Sequence, residues 1–371
     1  MGCTIIGCGK GLPALDVPND ELTKLVDTSD EWISTRTGIK SRRVCVEETL
    51  SELAERAARQ ALGWEDGGHA ERRIAPEEID LVVFSTITPD TTVPTSAAIL
   101  RRRLGLVNAA CFDVNAACTG FIYGLTIAES MMAASSPATT NGARGRNSIR
   151  RVLVVGGERL SRITDWYDRN TCVLFGDGAG AAVLEWDETR SGIKSWFIKN
   201  DDDDTNALTC EMAFDAPVPF DEKGVSLEAA DKPDPGSARI DEEIGSTEMV
   251  AGGRPRQTIY MHGQKVFKFA TSSMAHAIEE VIDRANLTID DVAYIVPHQA
   301  NERIIRYAAK KMGLPIERFQ ISITHRGNSS SACIPMSLSD AYDAGRIHRG
   351  DKVILVGFGG GFTSGAVLYE A

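Results

Sequence analysis

Apolar residues occur along this chain in short continuous runs that alternate with longer segments of helical periodicity. The runs LVVFS at 81–85, VAYIV at 292–296 and VILV at 353–356 have the length and continuity of buried strands. The segments FIYGLTIAESMMAA, which follows Gly120, and residues 261–287 place apolar side chains at helical spacing. The alternation predicts an α/β fold.

The succession of strands and helices occurs twice. An acidic turn and an apolar strand, EEIDLVVFSTITP from Glu77, match IDDVAYIVPHQAN from Ile289, and a helix that closes on Gly-Leu follows each. Further pairs of segments, such as ACFDVNAAC and FQISITHRGN, correspond in the same order about 200 residues apart. The repeat predicts two pseudo-symmetric β-α-β halves packed in five layers, α/β/α/β/α.

Cys118 lies in DVNAACTGF, where a predicted strand ending at Val114 gives way to the helix from Gly120. The positive end of a helix favours the thiolate form of a cysteine, which is its nucleophilic form. The small residues Ala116 and Ala117 allow close approach. A buried structural cysteine is the alternative, because this residue type is common in protein cores.

Two further polar residues follow predicted strands. His298 comes after the strand Val292 to Val296, and Asn328 follows the apolar segment ISIT, also predicted as a strand. The repeat aligns Cys118 with Asn328 and His298 with Ser85, so a pseudo-twofold axis should bring the strand ends into one cleft. Together the three side chains can supply a nucleophile, a base and a hydrogen-bonding partner. A lone histidine is more often structural, but the shared strand-end position favours a functional one.

Four separated segments, DVNAACTGF, VPHQANERI, HRGNSSSACIP and GFGGGFTSGAVL, resemble the motifs of β-ketoacyl-acyl carrier protein synthase III, the initiating condensing enzyme of type II fatty acid synthesis. The resemblance is dense from residue 1 to about 185 and from about 260 to 371. It implies a thiolase-like fold. It also places Cys118, His298 and Asn328 at the catalytic cysteine, histidine and asparagine of that family.

Two glycine runs end the corresponding halves of the chain. Close packing of sheet against helix explains FGDGAGAAVLE, which does not resemble a phosphate-binding loop because no Lys-Ser or Lys-Thr pair follows. The second run, GFGGGFTSGAVL, lies beside the predicted cleft. By resemblance, the backbone N–H groups of Gly360 and Cys118 form an oxyanion hole there.

The stretch LVDTSDEWISTRTGIKSRR combines an aromatic side chain with several guanidinium groups, a combination that suits an adenine ring and phosphates. A solvated helix end accounts for the same pattern. By resemblance, Thr28, Trp32, Arg36 and Arg169 hold the nucleotide of coenzyme A. Acyl-coenzyme A is then a substrate, and no resident cofactor is expected.

Lys268, on the predicted helix 261–287, and Arg303, on the helix after His298, place positive charge on an acidic protein. A local basic patch would select an acidic carrier protein, whereas ordinary surface charges are the alternative. By resemblance, both residues lie where the acyl carrier protein docks.

Residues 191–258 are interpreted as an insertion between an N-terminal half, 1–190, and a C-terminal half, 259–371. From 200 to 256 the chain is acidic, rich in proline and glycine, and without periodicity, which indicates an elaborated surface segment. Its DDDD run lacks the spacing and the glycine of an EF-hand loop, so a solvated turn is favoured over a calcium site. A second polar segment, 133–147, is predicted as a surface loop.

Composition narrows the class of protein. The chain has 371 residues, 43% of them hydrophobic, which is enough for two core-bearing halves. Its net charge of -12 argues against a nucleic-acid partner, because phosphate binding needs a basic face. The 8 cysteines include no CxxC pair and no signal peptide precedes them, so reduced thiols and a cytoplasmic location are expected. No apolar run approaches the roughly 18 residues of a membrane span.

The reaction that the resemblance implies is a decarboxylating Claisen condensation. Cys118 attacks the thioester of an acyl-coenzyme A primer and becomes acylated. Malonyl-acyl carrier protein then loses carbon dioxide, and its carbanion attacks the acyl-enzyme to give β-ketoacyl-acyl carrier protein. His298 and Asn328 stabilise the enolate by hydrogen bonds, and no metal is needed.

Other reactions could use the same residues. A cysteine hydrolase would need Cys118, His298 and a path for water, with no second substrate. An acyltransferase relative would pass the acyl group to an alcohol or an amine, and a related condensing enzyme would serve secondary metabolism. Acyltransferase relatives commonly alter the histidine or the asparagine, and both are present here. The glutamate-based motif of HMG-coenzyme A synthase, which shares the fold, is not evident.

The resemblance also implies a homodimer, in which the strand near Asp113 pairs across a two-fold axis. The apolar segment ACFDVNAAC is consistent with a buried partner. Val93 lies where acetyl-selective members carry a phenylalanine that the partner subunit contributes to the acyl pocket. The smaller side chain predicts acceptance of primers longer or more branched than acetyl.

Overall fold

The computed structural model describes residues 2–136, 148–211 and 257–371, together with the backbone of four short strands between residues 220 and 255. The strands in chain order are β1 Gly2–Gly11, β2 Leu15–Pro18, β3 Ser41–Val44, β4 His69–Ala70, β5 Leu81–Ser85, β6 Ala110–Val114, β7 Arg151–Arg159, β8 Asp177–Asp187, β9 Ile193–Asn200, β10 Leu208–Cys210, β11 Phe220–Asp221, β12 Gly224–Val225, β13 Met249–Val250, β14 Arg254–Pro255, β15 Ile259–Met261, β16 Val292–Pro297, β17 Lys352–Gly359 and β18 Thr363–Glu370. The α-helices in the same ranges are α1 Asn19–Leu22, α2 Asp30–Thr37, α3 Leu50–Ala61, α4 Ser96–Arg103, α5 Gly120–Ser135, α6 Gly263–Arg284, α7 Glu302–Lys311 and α8 Cys333–Asp343.

Two mixed sheets form the centre of the molecule. The first has the strand order β4-β1-β8-β7-β5-β6, with β5 parallel to both β7 and β6. The second has the order β16-β17-β18-β9, with β16 parallel to β17 and β18 antiparallel to both of its neighbours. Strands of continuous apolar sequence such as β5 are buried along their whole length, because helices cover both faces.

Three hydrophobic clusters confirm the predicted five layers. Helices α3 and α4 pack on the outer face of the first sheet, and α6 and α7 pack on the outer face of the second. The central cluster contains α5 and α8 together with strands of both sheets. The order is therefore α3/α4, first sheet, α5/α8, second sheet, α6/α7. Among the described residues, no helix combines the length and apolar character that crossing a membrane requires.

Helices α2, α3, α4 and α7 each begin at a residue whose side chain caps the helix. Ser29 accepts from the N–H of Trp32 at the start of α2, and Asn301 accepts from the N–H of Arg303 at the start of α7. The central helices α5 and α8 have no such cap. Each is instead entered through a 3-10 turn whose first residue has a left-handed backbone, with φ 45° at Ala117 and 48° at Ser330.

This correspondence corrects the predicted alignment of the two halves. The turn Ala117–Thr119 before α5 matches the turn Ser330–Ala332 before α8, so Cys118 corresponds to Ser331 and not to Asn328. The counterpart of Asn328 is Asn115, two positions before the left-handed residue in its own half.

Residues 321–324 (ISIT), predicted as a strand, form no strand. The chain makes one bridge to β16 and then turns through the 3-10 helix Ile323–His325. Oε1 of Gln299 accepts from the backbone N–H groups of Ser322 and Ile323, at 2.9 and 3.2 Å. These N–H groups are therefore not available to pair with a neighbouring strand. The second half therefore lacks a described counterpart of β6.

The region predicted as an insertion contains ordered structure at both ends. β9 pairs with β18, so the predicted boundary at residue 191 falls before a strand of the second sheet. The carboxylate of Asp203, in the DDDD run, accepts from the backbone of Ala207 at 2.7 Å, which supports a turn there. β10 then pairs with β15. Most of the remaining insertion, and residues 137–147 of the predicted surface loop, lie outside the described residues.

Candidate active site

Cys118 is half-buried in the turn that enters α5, and the end of β17 packs directly against it. A Cβ atom added to Gly359 would lie 2.8 Å from the backbone nitrogen of Cys118 and 3.0 Å from its Cβ. No side chain fits in that space, so glycine at 359 is required for this approach. Gly360, the predicted oxyanion residue, follows immediately.

The protonation state of Cys118 differs from the prediction. Burial raises the pKa of Cys118 to about 12, the nearby Ser330 hydroxyl lowers it, and the neighbouring Cys333 and Glu158 raise it further. Desolvation of the sulfur is the largest of these effects, and it acts against the thiolate that the helix end was expected to favour. A pKa this high favours the thiol at physiological pH.

His298 follows β16 directly, as predicted, and is 1% exposed. Its backbone N–H donates to the carbonyl of Val356 at 2.8 Å, and its ring meets that of Phe358 edge to face, with centroids 5.2 Å apart. Burial lowers the pKa of His298 to about 3, so the imidazole is neutral at physiological pH. Nδ1 is buried without a hydrogen-bond partner in the described part of the chain.

Asn328 is held by a bridge to Phe175. Its backbone N–H donates to the carbonyl of Leu174 at 2.8 Å, and its carbonyl accepts from the N–H of Gly176 at 2.9 Å. Its Oδ1 accepts from the backbone N–H of Ser330 at 2.9 Å. That contact assigns the oxygen of the amide and leaves the Nδ2 group to donate elsewhere.

Short links connect all three predicted residues. Cys118 touches Gly359, whose chain neighbour Phe358 packs against His298. On the other side, Cys333 contacts both Asn328 and the residue after His298, with its Sγ 3.8 Å from the Asn328 Oδ1 and 3.9 Å from the carbonyl oxygen of Gln299. The structure therefore brings the cysteine, histidine and asparagine into one buried region at the strand ends.

Three of the four residues predicted to hold coenzyme A form a stack. The guanidinium groups of Arg36 and Arg169 lie 4.5 and 4.1 Å from the centre of the Trp32 ring. Thr28 lies just before the cap of α2, and its buried hydroxyl has no partner among the described residues. The group combines aromatic surface, positive charge and an unsatisfied polar atom.

The residues predicted to contact a carrier protein lie on the packed helices α6 and α7. Lys268 and Arg303 are both exposed, and the Arg303 guanidinium lies 5.8 Å from the ring of Phe267. The two side chains therefore extend from neighbouring parts of one surface.

Val93 lies away from the core of its own chain. It is 85% exposed, in the loop between β5 and α4. An apolar side chain this exposed is available to a second molecule.

Several residues around the site were not predicted. Ser331 and Cys333 have small or apolar neighbours in the sequence, and only the tertiary contacts show that they and Glu158 surround Cys118 and Asn328. The carboxyl group in VVGGERL, at the end of an apolar strand, was the one available signal for Glu158. Within the described ranges, no three His, Cys, Asp or Glu side chains are grouped as a metal site would require.

Comparison with known proteins extends the resemblance over nearly the whole chain. Residues 112–202 match the family model 3-Oxoacyl-[acyl-carrier-protein (ACP)] synthase III, and residues 282–371 match the model of its C-terminal part. The β-ketoacyl-[acyl-carrier-protein] synthase III of Clostridium acetobutylicum is 41% identical over 367 residues, which cover 99% of this chain and 98% of the relative. That of Rhodospirillum centenum is 40% identical over 369 residues, 98% of this chain and 97% of the relative.

A solved structure of the same family is similar to this chain in both sequence and fold. The crystal structure of 3-oxoacyl-[acyl-carrier-protein] synthase III from Aquifex aeolicus VF5 is 36% identical in sequence, covers 100% of both chains and has a TM-score of 0.79. This likeness, together with the five layers, confirms the thiolase-like α/β fold.

Proposed function

The chain belongs to the β-ketoacyl-[acyl-carrier-protein] synthase III family of condensing acyltransferases, and we propose that Cys118, His298 and Asn328 carry its reaction. The reaction is the decarboxylating condensation that initiates fatty acid synthesis, with an acyl-coenzyme A primer and malonyl-acyl carrier protein as substrates. The observation that supports this assignment most strongly is the set of contacts through Gly359 and Cys333 that links the three residues.

In the first half-reaction, the Cys118 sulfur attacks the primer carbonyl. The carbon–sulfur bond to coenzyme A breaks, and the thiol proton of Cys118 ends on the departing coenzyme A sulfur. The N–H groups of Cys118 and Gly360 stabilise the oxyanion between these events. The tight contact of Gly359 with Cys118 supports this role, because it holds the end of β17 against the nucleophile.

In the second half-reaction, malonyl-acyl carrier protein loses carbon dioxide and leaves an enolate. The neutral His298 donates its ring N–H to the thioester oxygen, and Asn328 donates from Nδ2 to the same oxygen. The carbanion attacks the acyl carbonyl, and the Cys118 sulfur leaves as a thiolate that takes up a proton from solvent to restore the thiol. The low pKa of His298 and the engaged Oδ1 of Asn328 both support donation to a developing negative charge.

The ligand sites follow from the same assignment. The coenzyme A nucleotide binds at Trp32, Arg36 and Arg169, with Thr28 as a further polar contact. The stacked ring and the two guanidinium groups support this, since they suit an adenine and phosphates. The chemistry requires no metal or redox cofactor.

The carrier protein docks on α6 and α7 at Lys268 and Arg303, whose positive charge complements an acidic partner on an otherwise negative molecule. The enzyme is a homodimer through β6. This strand is the edge of the first sheet, and its residues are exposed or half-buried in the single chain. Val93 then reaches the acyl pocket of the partner subunit.

Product analysis tests the proposal. The protein is incubated with a panel of acyl-coenzyme A primers, with and without malonyl-acyl carrier protein, and the products are weighed. We expect β-ketoacyl-acyl carrier protein and carbon dioxide only when malonyl-acyl carrier protein is present. Release of a free acid at the same rate in both cases would show a cysteine hydrolase instead.

A further inference from the structure

Glu158, near the end of β7, is a fully buried carboxyl group that the reaction described above does not use. Its Oε2 accepts from the hydroxyl of Thr88 at 2.6 Å, from the N–H of Ile87 at 3.0 Å and from the hydroxyl of Thr86 at 3.2 Å. These donors all follow the end of β5. Oε1 accepts from the hydroxyl of Ser331 at 2.8 Å, which belongs to the other half of the chain.

The Ser331 contact lies where the two halves approach most closely. Ser331 also reaches the carbonyl oxygen of Ser85 at 3.0 Å. A Cβ atom added to Gly156 would lie 2.2 Å from the Ser331 carbonyl oxygen. The turn Ser330–Ala332 is therefore fitted onto the strand ends of the first half, and the Glu158 carboxyl accepts from the Ser331 hydroxyl of that turn.

A buried carboxyl group costs free energy unless hydrogen bonds compensate it. Glu158 has four donors, which offset part of this cost. Three of them secure the loop after β5, and the fourth secures the turn that contains Ser330. The backbone N–H of Ser330 is the group that binds the Oδ1 of Asn328.

We propose that Glu158 is a positioning residue for decarboxylation, which acts through Ser331 to hold the turn that orients the Asn328 amide toward the malonyl thioester. The proposal rests on the proposed function of Asn328. A shift of the turn moves the Ser330 N–H, and the amide of Asn328 rotates with it. Cys118 lies on the other 3-10 turn and makes none of these hydrogen bonds to Glu158, so its acylation should depend less on this link than decarboxylation does.

Ser331 and Thr88 offer a matched pair of variants. Ser331→Ala and Thr88→Val each remove one hydroxyl donor from the same carboxyl group, but only Ser331 leads to Asn328. Glu158→Gln is added as a third variant that keeps the volume of the side chain. In each full-length variant, acylation of Cys118 by acyl-coenzyme A and carbon dioxide release from malonyl-acyl carrier protein are measured separately.

We expect Ser331→Ala and Glu158→Gln to slow decarboxylation at least about tenfold, and Thr88→Val to leave its rate within about threefold of the parent. Acylation should fall by less than decarboxylation does in Ser331→Ala and Glu158→Gln, and it should stay within about threefold of the parent in Thr88→Val. A double-mutant cycle separates positioning from general destabilisation. In an Asn328→Ala background, Ser331→Ala should cause no further loss.

Several results would overturn the proposal. An equal loss in Ser331→Ala and Thr88→Val would show that the carboxyl group only stabilises the fold. An undiminished effect of Ser331→Ala in the Asn328→Ala background would show that the link does not act through Asn328. A parental decarboxylation rate in Asn328→Ala would remove the proposed function of Asn328 itself, and this inference with it. Loss in Asn328→Ala without loss in Ser331→Ala would overturn the inference alone.

Discussion

Asn115 and Asn328 make the same hydrogen bond at corresponding points of the two halves. Oδ1 of Asn115 accepts from the N–H of Ala117 at 3.3 Å, and Oδ1 of Asn328 accepts from the N–H of Ser330 at 2.9 Å. Each bond closes the turn that enters a central helix. In the proposed reaction, the turn of the first half presents the Cys118 sulfur, whereas the second half uses the side chain of Asn328 itself.

The different proposed roles of Cys118 and Asn328 predict that the two half-reactions can be separated by substitution. Asn328→Ala and His298→Ala should lower the rate of malonyl decarboxylation about a hundredfold, because each removes a donor to the enolate oxygen. Both should retain acylation of Cys118, measured as an increase in protein mass with acyl-coenzyme A. Asn115→Ala is the matched control, since it removes the equivalent bond on an exposed residue and should keep decarboxylation. Parental decarboxylation in both Asn328→Ala and His298→Ala would contradict the assignment.

The raised pKa of Cys118 predicts the pH dependence of its reactivity. With the pKa near 12, the thiolate fraction grows about tenfold per pH unit throughout the neutral range. Alkylation of Cys118 by iodoacetamide, followed by peptide mass, should therefore accelerate from pH 6 to pH 9 without a plateau. A plateau below pH 8 would show that the helix end lowers the pKa after all.

His298 predicts a component of acid sensitivity. Its folded pKa is about 3 against an ordinary value of 6.5, so between these values the unfolded chain binds a proton that the folded chain does not. The free energy of unfolding should therefore fall as pH falls below about 6.5, by up to about 1.4 kcal/mol per pH unit from this residue. Urea unfolding of the parent and of His298→Asn from pH 7 to pH 5 measures the difference.

Glu158 provides the contrast to His298. Burial raises its pKa from 4.5 to about 7, so in that window the folded chain binds the extra proton and stability falls as pH rises. Glu158→Gln should therefore remove a decrease of the unfolding free energy with rising pH, whereas the contribution of His298 to that free energy increases with rising pH. For His298, the urea unfolding free energies of the parent and of His298→Asn should diverge as pH falls. If they change in parallel with pH, a neutral buried imidazole at this position is excluded.

Local patterns were sufficient to predict where Cys118 and His298 lie in the fold, because each lies directly at the end or start of an element with a clear apolar pattern. Asn328 was found from its motif, although the strand predicted before it is a turn that Gln299 imposes from elsewhere in the chain. The contacts that complete the site join distant positions, such as Glu158 with Ser331. The pKa of the Cys118 thiol could not be predicted either, because its largest cause is burial by elements that are distant in the sequence.

The small side chain of Val93 predicts which acyl-coenzyme A primers the enzyme accepts. If the proposed dimer places residue 93 in the acyl pocket of the partner subunit, Val93→Phe should narrow acceptance toward acetyl-coenzyme A, because the larger ring would fill the distal end of that pocket. A methylene in an apolar pocket is worth about 1–3 kcal/mol, so isobutyryl- and octanoyl-coenzyme A should lose about tenfold or more in kcat/KM. Val46→Phe, at another exposed valine, is the control and should change nothing. Strict acetyl preference in the parent would contradict the role of Val93.

The covalent intermediate tests the central claim most directly. The protein is mixed with acyl-coenzyme A, one portion is digested and weighed, and the other is chased with malonyl-acyl carrier protein. We predict that the acyl mass appears on the peptide containing Cys118 and moves in the chase to β-ketoacyl-acyl carrier protein, and that Cys118→Ala shows neither. An acyl group found elsewhere, or one that the chase leaves on Cys118, would contradict the account.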